Sequence, residues 1–101
     1  MSTTKQLLPP IHPGTLLKED LADMGISLNE LARALRVPMN RISQIVNAKR
    51  TVTADTALRL ARYFGTSAQY WLNLQSAYDL ELAQRELAKR IHKEVIPRTA
   101  A

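Results

Sequence analysis

The 101-residue sequence contains no cysteine, which excludes disulfide bonds, zinc fingers and a nucleophilic cysteine and fits a reducing cytosol. No apolar run reaches the roughly 18 residues of a transmembrane helix, and the first ten residues lack the charged start and apolar core of a secretory signal. We therefore expect a cytoplasmic protein with no membrane partner. Glycine (3), proline (5) and aromatic residues (5%) are also few. This scarcity argues against a β-sandwich or barrel, which needs frequent turns, and favours an all-α fold.

Acidic residues are outnumbered, with 9 Asp and Glu against 14 Lys and Arg and a net charge of +5. Such a charge permits an anionic partner without identifying one. Its distribution is more informative, because residues 27–53 contain five basic residues and only one acidic residue, a net charge of +4. Most of the excess charge therefore lies in about one quarter of the chain.

Residue types that carry enzymatic chemistry are not grouped in any recognisable pattern. The two histidines, His12 and His92, have no acid or thiol cluster beside them, and the sequence shows no glycine-rich phosphate loop, Ser-His-Asp set or paired carboxylates. We predict no enzymatic activity, no metal site, no cofactor and no small-molecule substrate. His12 is interpreted as a structural residue at the entry to the first helix.

Hydrophobic periodicity predicts one helical domain over residues 13–92, with a flexible lead-in over 1–12 and a frayed tail over 93–101. The first of five helices begins at Pro13, where a first-turn proline is tolerated, and ends before Gly25.

The second helix begins at Ser27, which forms a Ser-x-x-Glu capping box with Glu30. Pro38 ends any continuation and starts a third helix that runs to Asn47. Thr53 is a suitable cap for the fourth helix. The fourth helix also carries two arginines, Arg59 and Arg62, which are interpreted as part of a solvated face.

The last helix is predicted over about residues 67–92, roughly 37 Å at 1.5 Å per residue. Thr66 and Gln69 suggest a second capping box at its start. Trp71 and Tyr78 are interpreted as core residues that close the domain. An apolar stripe continues beyond the part of the helix that the domain can cover, and consists of Leu80, Ala83, Leu87 and Ile91.

The second and third helices, joined by a tight turn, match the helix-turn-helix pattern. The small Ala32 lets the two helices cross closely, which leaves the third helix with an outward polar face that can enter a major groove. Asn and Gln can pair bidentately with adenine, and Met39 can contact a thymine methyl group. Basic residues flank this face and suit phosphate contacts: Arg41, Lys49 and Arg50.

Five segments give the sequence a family resemblance. It resembles the phage-repressor and Cro type of helix-turn-helix domain (XRE family), and more closely the short HigA-type antitoxins. The matching segments are IHPGTLLKEDL (Ile11–Leu21), NELARAL (Asn29–Leu35), RISQIVNAKR (Arg41–Arg50), TADTALRLARYFGTS (Thr53–Ser67) and WLNLQSAYDL (Trp71–Leu80). The His-Pro-Gly start combined with Trp-Leu-Asn-Leu-Gln and Tyr-Asp-Leu is the more specific part of the match.

The resemblance implies a bacterial homodimer that represses its own promoter by binding a palindromic operator in double-stranded DNA, and that neutralises a RelE-like, mRNA-cleaving toxin. It also implies roles for individual positions. Bases would be read by Met39, Asn40, Ser43 and Gln44. The DNA backbone would be held by Ser27, Arg41, Asn47, Lys49, Arg50 and Thr51.

One position departs from the family pattern. Arg36 occupies the turn position that is usually glycine because the backbone there is left-handed, and a residue with a Cβ in that conformation costs on the order of 1 kcal/mol. We expect an adjusted turn, on which the angle of the third helix depends. Arg36 thereby leaves open a toxin-neutralising module with weak DNA binding. A phage-type repressor without a toxin is a separate alternative, since the first four matching segments alone indicate only a repressor-like domain.

The stripe formed by Leu80, Ala83, Leu87 and Ile91 has three interpretations: a dimer contact, a toxin-binding surface, or burial against the first helix. We favour the dimer contact. One helix-turn-helix reads only a few base pairs, whereas a two-fold operator presents half-sites roughly 34 Å apart.

Overall fold

The computed structural model describes residues 10–99. Within that range it contains no strand and five helices, which confirms the predicted all-α fold with a long C-terminal helix. They are α1 (Pro13–Met24), α2 (Leu28–Leu35), α3 (Met39–Val46), α4 (Ala54–Phe64) and α5 (Ala68–Glu94). None of the helices in this part of the chain is long and apolar enough to cross a membrane.

The entry to α1 is ordered by His12 rather than flexible. Its ring nitrogen Nδ1 accepts a hydrogen bond from the Gly14 backbone N–H at 2.9 Å, and the side chain is buried. Pro13 follows at the first helical position, where its missing N–H costs nothing. The predicted lead-in over 1–12 therefore ends before His12, and its first nine residues lie outside the described range.

The capping box of α2 forms as predicted, with Ser27 and Glu30 exchanging two hydrogen bonds of 3.1 Å. The predicted cap at the start of α5 is wrong. Ser67, not Thr66, caps that helix by accepting from the Tyr70 N–H at 3.0 Å. Thr66 instead accepts at 3.0 Å from the indole N–H of Trp71, which needs a partner because the ring is buried.

The C-terminal end of α5 lies at Glu94, two residues beyond the predicted end at His92. Residues 93 and 94, expected in the frayed tail, are helical. Glu94 forms a 3.3 Å ion pair with Arg90 one turn earlier, and His92 and Lys93 place basic groups where the helix dipole favours them.

One hydrophobic core joins all five helices. Its side chains come from α1, α2, α3, α4, the loop before α4, and the first turn of α5: Leu17, Leu21, Leu31, Ala32, Leu35, Ile42, Ile45, Val46, Val52, Ala57, Leu60 and Trp71. The predicted core position of Trp71 is confirmed, and Tyr78 is half-buried. Beyond Gln75 no residue of α5 is fully buried, and residues 84–94 are all exposed, so α5 extends out of the domain.

Candidate nucleic-acid interface

The third helix, α3, has two sharply different faces. Ile42, Ile45 and Val46 are buried against the other helices, whereas Asn40 and Gln44 are exposed and Met39 is 40% exposed. Ser43 lies between the two faces and is half-buried. The structure thus brings the four predicted base-reading residues together on one side of a rigidly packed helix.

The turn between α2 and α3 accommodates Arg36 without changing its conformation. Arg36 has φ 60° and ψ 45°, the left-handed geometry in which glycine is usual. The turn is closed by a 3.0 Å hydrogen bond from the Val37 N–H to the Ala32 carbonyl. The expected adjustment of the turn is therefore absent, and Ala32 is buried between the two helices.

The predicted backbone-contacting residues form two groups. Lys49, Arg50 and Thr51 are exposed in the loop of residues 48–52, which we call the basic loop. Ser27 lies at the N-terminus of α2, where the helix dipole favours an anion, and its hydroxyl accepts from Glu30 while keeping a hydrogen to donate.

The other two predicted backbone-contacting residues already have partners within the chain. Arg41 donates to the carboxylate of Asp55 at 2.7 Å, and the Asn47 amide donates to the Ser43 carbonyl at 2.9 Å. These bonds orient both side chains beside the polar face of α3.

Asp55 lies on α4, so its bond with Arg41 links α3 to α4, and it also accepts from Arg59, one turn later on its own helix, at 3.1 Å. Hydrogen bonds from Arg59 and then Arg41 lower the pKa of the Asp55 carboxyl below its ordinary value. Arg59 also donates to the Leu35 carbonyl at 2.9 Å, which satisfies an acceptor at the C-terminus of α2. The solvated-face interpretation is therefore wrong for Arg59, whereas Arg62 is exposed as expected.

Sequence reasoning missed the groups that hold the basic loop from behind. Gln75, buried on α5, accepts at 2.9 Å from the N–H of Val52 at the end of that loop. A signal was available, because Gln75 follows Trp71 by one helical turn and so faces the core, where a polar side chain requires a partner.

The second such group is the imidazole of His12. Burial lowers its pKa, while the charge of Asp79 and a hydrogen bond with the backbone of Arg50 act in the opposite direction. The ring also makes an edge contact with Tyr78, with centroids 4.9 Å apart. His12 thereby joins α1, α5 and the basic loop.

The apolar stripe of α5 is open to solvent. Leu80 is 60% exposed, Leu87 36% and Ile91 49%, while Ala83 is half-buried. Burial of the stripe against α1 is therefore wrong for its three large side chains. Among residues 10–99, no group of three or more His, Cys, Asp or Glu side chains could hold a metal ion.

Comparison with known proteins identifies the family to which this architecture belongs. A family model described as "Helix-turn-helix" matches residues 17–71. The chain is 54% identical over 83 residues to virulence-associated protein I of Dichelobacter nodosus, covering 81% of this chain and 77% of that protein.

Solved structures agree with this placement. An addiction module antidote protein of a HigA family from Coxiella burnetii has a TM-score of 0.86 and 50% identity, with 90% of this chain and all of that chain covered. Pseudomonas aeruginosa antitoxin HigA, solved with the higBA promoter, has a TM-score of 0.85 and 46% identity, with 89% and 99% covered. The chain belongs to the helix-turn-helix family and, within it, to the HigA family of antitoxins.

Proposed function

We propose that this chain is a homodimeric, sequence-specific DNA-binding protein that represses its own promoter and neutralises a RelE-like, mRNA-cleaving toxin. The observation that carries the DNA-binding part is the exposed polar face of α3, held by a buried apolar face in a fold that superposes on a HigA antitoxin solved with promoter DNA. Family membership places the chain among regulators rather than enzymes. Its site of action is the bacterial cytoplasm, where promoter DNA is found.

In this proposal α3 enters the major groove and reads base edges. Asn40 and Gln44 are one turn apart and exposed, so both can pair with adenine, and Met39 can contact a thymine methyl group. Ser43, which has a shorter side chain, contacts the base edges between Asn40 and Gln44. A good bidentate pair contributes about 1 to 3 kcal/mol of discrimination against the wrong base.

Phosphate contacts come from the groups on either side of α3. Ser27 offers its hydroxyl and the N-terminus of α2, and the basic loop offers Lys49, Arg50 and Thr51. Arg41 and Asn47 complete the set beside α3, already oriented by Asp55 and by the Ser43 carbonyl. These contacts set the register on DNA and make binding depend on salt concentration.

The homodimer is proposed to form through the apolar stripe of Leu80, Ala83, Leu87 and Ile91. These residues recur at helical spacing on the part of α5 that leaves the domain, and a second copy would cover their exposed apolar surface. A two-fold dimer then presents two α3 helices to successive half-sites.

The test is fluorescence anisotropy with a duplex from the chain's own promoter region. The double variant Asn40→Ala with Gln44→Ala should lose most of the preference for the operator over a scrambled duplex, while binding to the scrambled duplex persists. Arg62→Ala, an exposed arginine on α4 that contributes none of the proposed contacts, is the matched control and should bind as the unmodified protein does.

Unchanged operator preference in the double variant would refute base reading by α3. The toxin is tested separately by co-expressing the chain with the product of the neighbouring reading frame. Co-purification of a RelE-like protein supports the antitoxin role, and operator binding without such a partner identifies a phage-type repressor instead.

A further inference from the structure

Two buried polar side chains connect the basic loop to the interior of the domain. Lys49, Arg50 and Thr51 are exposed on the outer side of the loop, so their own side chains do not fix its position. Behind them Gln75 accepts from the N–H of Val52, and the His12 ring lines one pocket with the three loop residues. Both of these residues are only 4% exposed.

The orientation of the Gln75 amide is determined by Asp79. A carboxylate only accepts hydrogen bonds, and the Gln75 amide nitrogen donates to Asp79 at 2.9 Å. The amide oxygen therefore faces the other way and accepts from the Val52 N–H at 2.9 Å. Asp79 and Gln75, one turn apart on α5, thus form a chain of hydrogen bonds that ends on the backbone of the loop.

His12 acts on the same loop from the other side. Its Nδ1 accepts from the Gly14 N–H, so the neutral ring carries its proton on Nε2, and the ring lines one pocket with Arg50 and Gln75. The ring is further confined by Tyr78 in edge contact. The loop is therefore backed by two nearly buried side chains, His12 beside Arg50 and Gln75 bonded to Val52.

We infer that Gln75 and His12 are positioning residues for DNA binding, which hold the basic loop where Lys49, Arg50 and Thr51 meet the phosphate backbone. This inference rests on the proposed function, since it concerns the same DNA interface. Neither residue reaches DNA in this arrangement. Gln75 acts through its bond to the backbone of the loop, His12 acts through its position beside Arg50, and Asp79 orients the Gln75 amide.

The first test is Gln75→Leu, which keeps the approximate size of the side chain and removes its acceptor. Operator binding is measured by fluorescence anisotropy over a range of salt concentrations, at a temperature where circular dichroism shows the variant folded. We expect binding to weaken about tenfold and the salt slope to fall by about one to two units, because the loop loses its phosphate contacts. Leu74→Ala, a half-buried apolar residue of the same helix, is the control and should leave the salt slope unchanged.

A double-mutant cycle separates positioning from a general loss of stability. In a chain that carries Lys49→Ala and Arg50→Ala, Gln75→Leu should have little further effect, because the contacts it positions are already gone. If it weakens binding equally in both backgrounds, Gln75 acts through the fold as a whole and the inference is overturned.

His12→Asn keeps the inference testable should Gln75→Leu fail to fold. Asparagine is a good N-cap and can still accept from the Gly14 N–H, but it lacks the part of the ring that lies beside Arg50. Like Gln75→Leu, it should lower the salt slope of the unmodified chain and have little further effect in the chain that carries Lys49→Ala and Arg50→Ala. Failure of the unmodified protein to bind the operator would refute the proposed function; normal operator affinity and salt slope in both single variants would overturn this inference alone.

Discussion

Gly14 lies so close to the backbone of Ile45 that a Cβ at position 14 would come within 1.7 Å of the Ile45 carbonyl oxygen and 2.5 Å of its carbon. Ile45 is fully buried on the inner face of α3. The first turn of α1 therefore rests directly on the backbone of the helix that presents the polar face. The Gly14 N–H in turn donates to His12, so the His-Pro-Gly segment places α1 against α3 at a contact that only glycine allows.

We predict that Gly14→Ala destabilises the fold by roughly 1 to 3 kcal/mol, because the backbone of Ile45 cannot give way as a flexible side chain would. Urea unfolding followed by circular dichroism measures this. Thr15→Ala, at the next and exposed position, is the matched control and should change the free energy of unfolding by less than about 0.5 kcal/mol. Equal effects at the two positions would show that the close approach of α1 to α3 is unimportant.

A second prediction concerns the two non-glycine residues with left-handed backbone, Arg36 at φ 60° and Ala48 at φ 59°. Arg36→Gly and Ala48→Gly should each stabilise the fold by about 0.5 to 1 kcal/mol, since the relieved strain exceeds the entropy that glycine gains when unfolded. Ala34→Gly, inside α2, should instead destabilise by about 1 kcal/mol. Chemical denaturation of the three variants distinguishes backbone strain from a general effect of glycine.

The helices and the polar face of α3 could be predicted from the sequence because each depends on local rules. Apolar spacing marks the buried side of α3, and the Ser27 capping box and Pro38 mark helix boundaries. At Arg36 the family pattern indicates left-handed backbone, but the adjusted turn that we expected from a non-glycine residue is absent. Nothing in the sequence indicates the left-handed backbone at Ala48, because alanine is uncommon in that conformation.

The hydrogen bonds that support the candidate interface could not be predicted, because they join residues far apart in the chain. Gln75 contacts Val52 across 23 positions, Arg59 contacts Leu35 across 24, and Arg41 pairs with Asp55 across 14. Helical periodicity shows that Gln75 faces inward but not which backbone group it meets. Long-range polar pairing of this kind depends on how the helices are arranged, which local patterns do not specify.

A third prediction concerns pH and His12. Burial lowers the pKa of this imidazole below its ordinary 6.5, while Asp79 and the Arg50 backbone oppose the shift, and Tyr78 lies in edge contact with the ring. The folded state therefore favours the neutral ring, as its acceptor role toward Gly14 requires. The stabilising contribution is complete above about pH 6.5 and is lost as pH falls through the lower, folded-state pKa.

Urea unfolding between about pH 5 and pH 8 measures this effect as a decline in stability on the acidic side. His12→Asn should flatten the decline, whereas His92→Asn, at an exposed position, should leave it unchanged. Asp55 does not interfere, because its pKa is lowered from 3.8 and its titration lies below this range. A decline that persists in His12→Asn would assign the pH dependence to other groups.

The fourth prediction concerns the apolar stripe of α5. If two copies pair through it, Leu87→Glu combined with Ile91→Glu should convert the dimer to a monomer, because unpaired carboxylates would be buried in place of apolar side chains. Light scattering after size-exclusion chromatography measures the mass. Leu58→Glu is the control, since Leu58 is 62% exposed on α4, outside the stripe, and should leave the dimer intact.

Operator binding separates the two remaining interpretations of the stripe. A monomeric variant presents one α3 at a time, so its affinity for a duplex with two half-sites should fall towards its affinity for a single half-site. If the stripe binds the toxin instead, the same variant stays dimeric, binds the operator normally and no longer co-purifies with the neighbouring gene product. That result would move the dimer contact to another surface, since two α3 helices must still be held at the spacing of the half-sites.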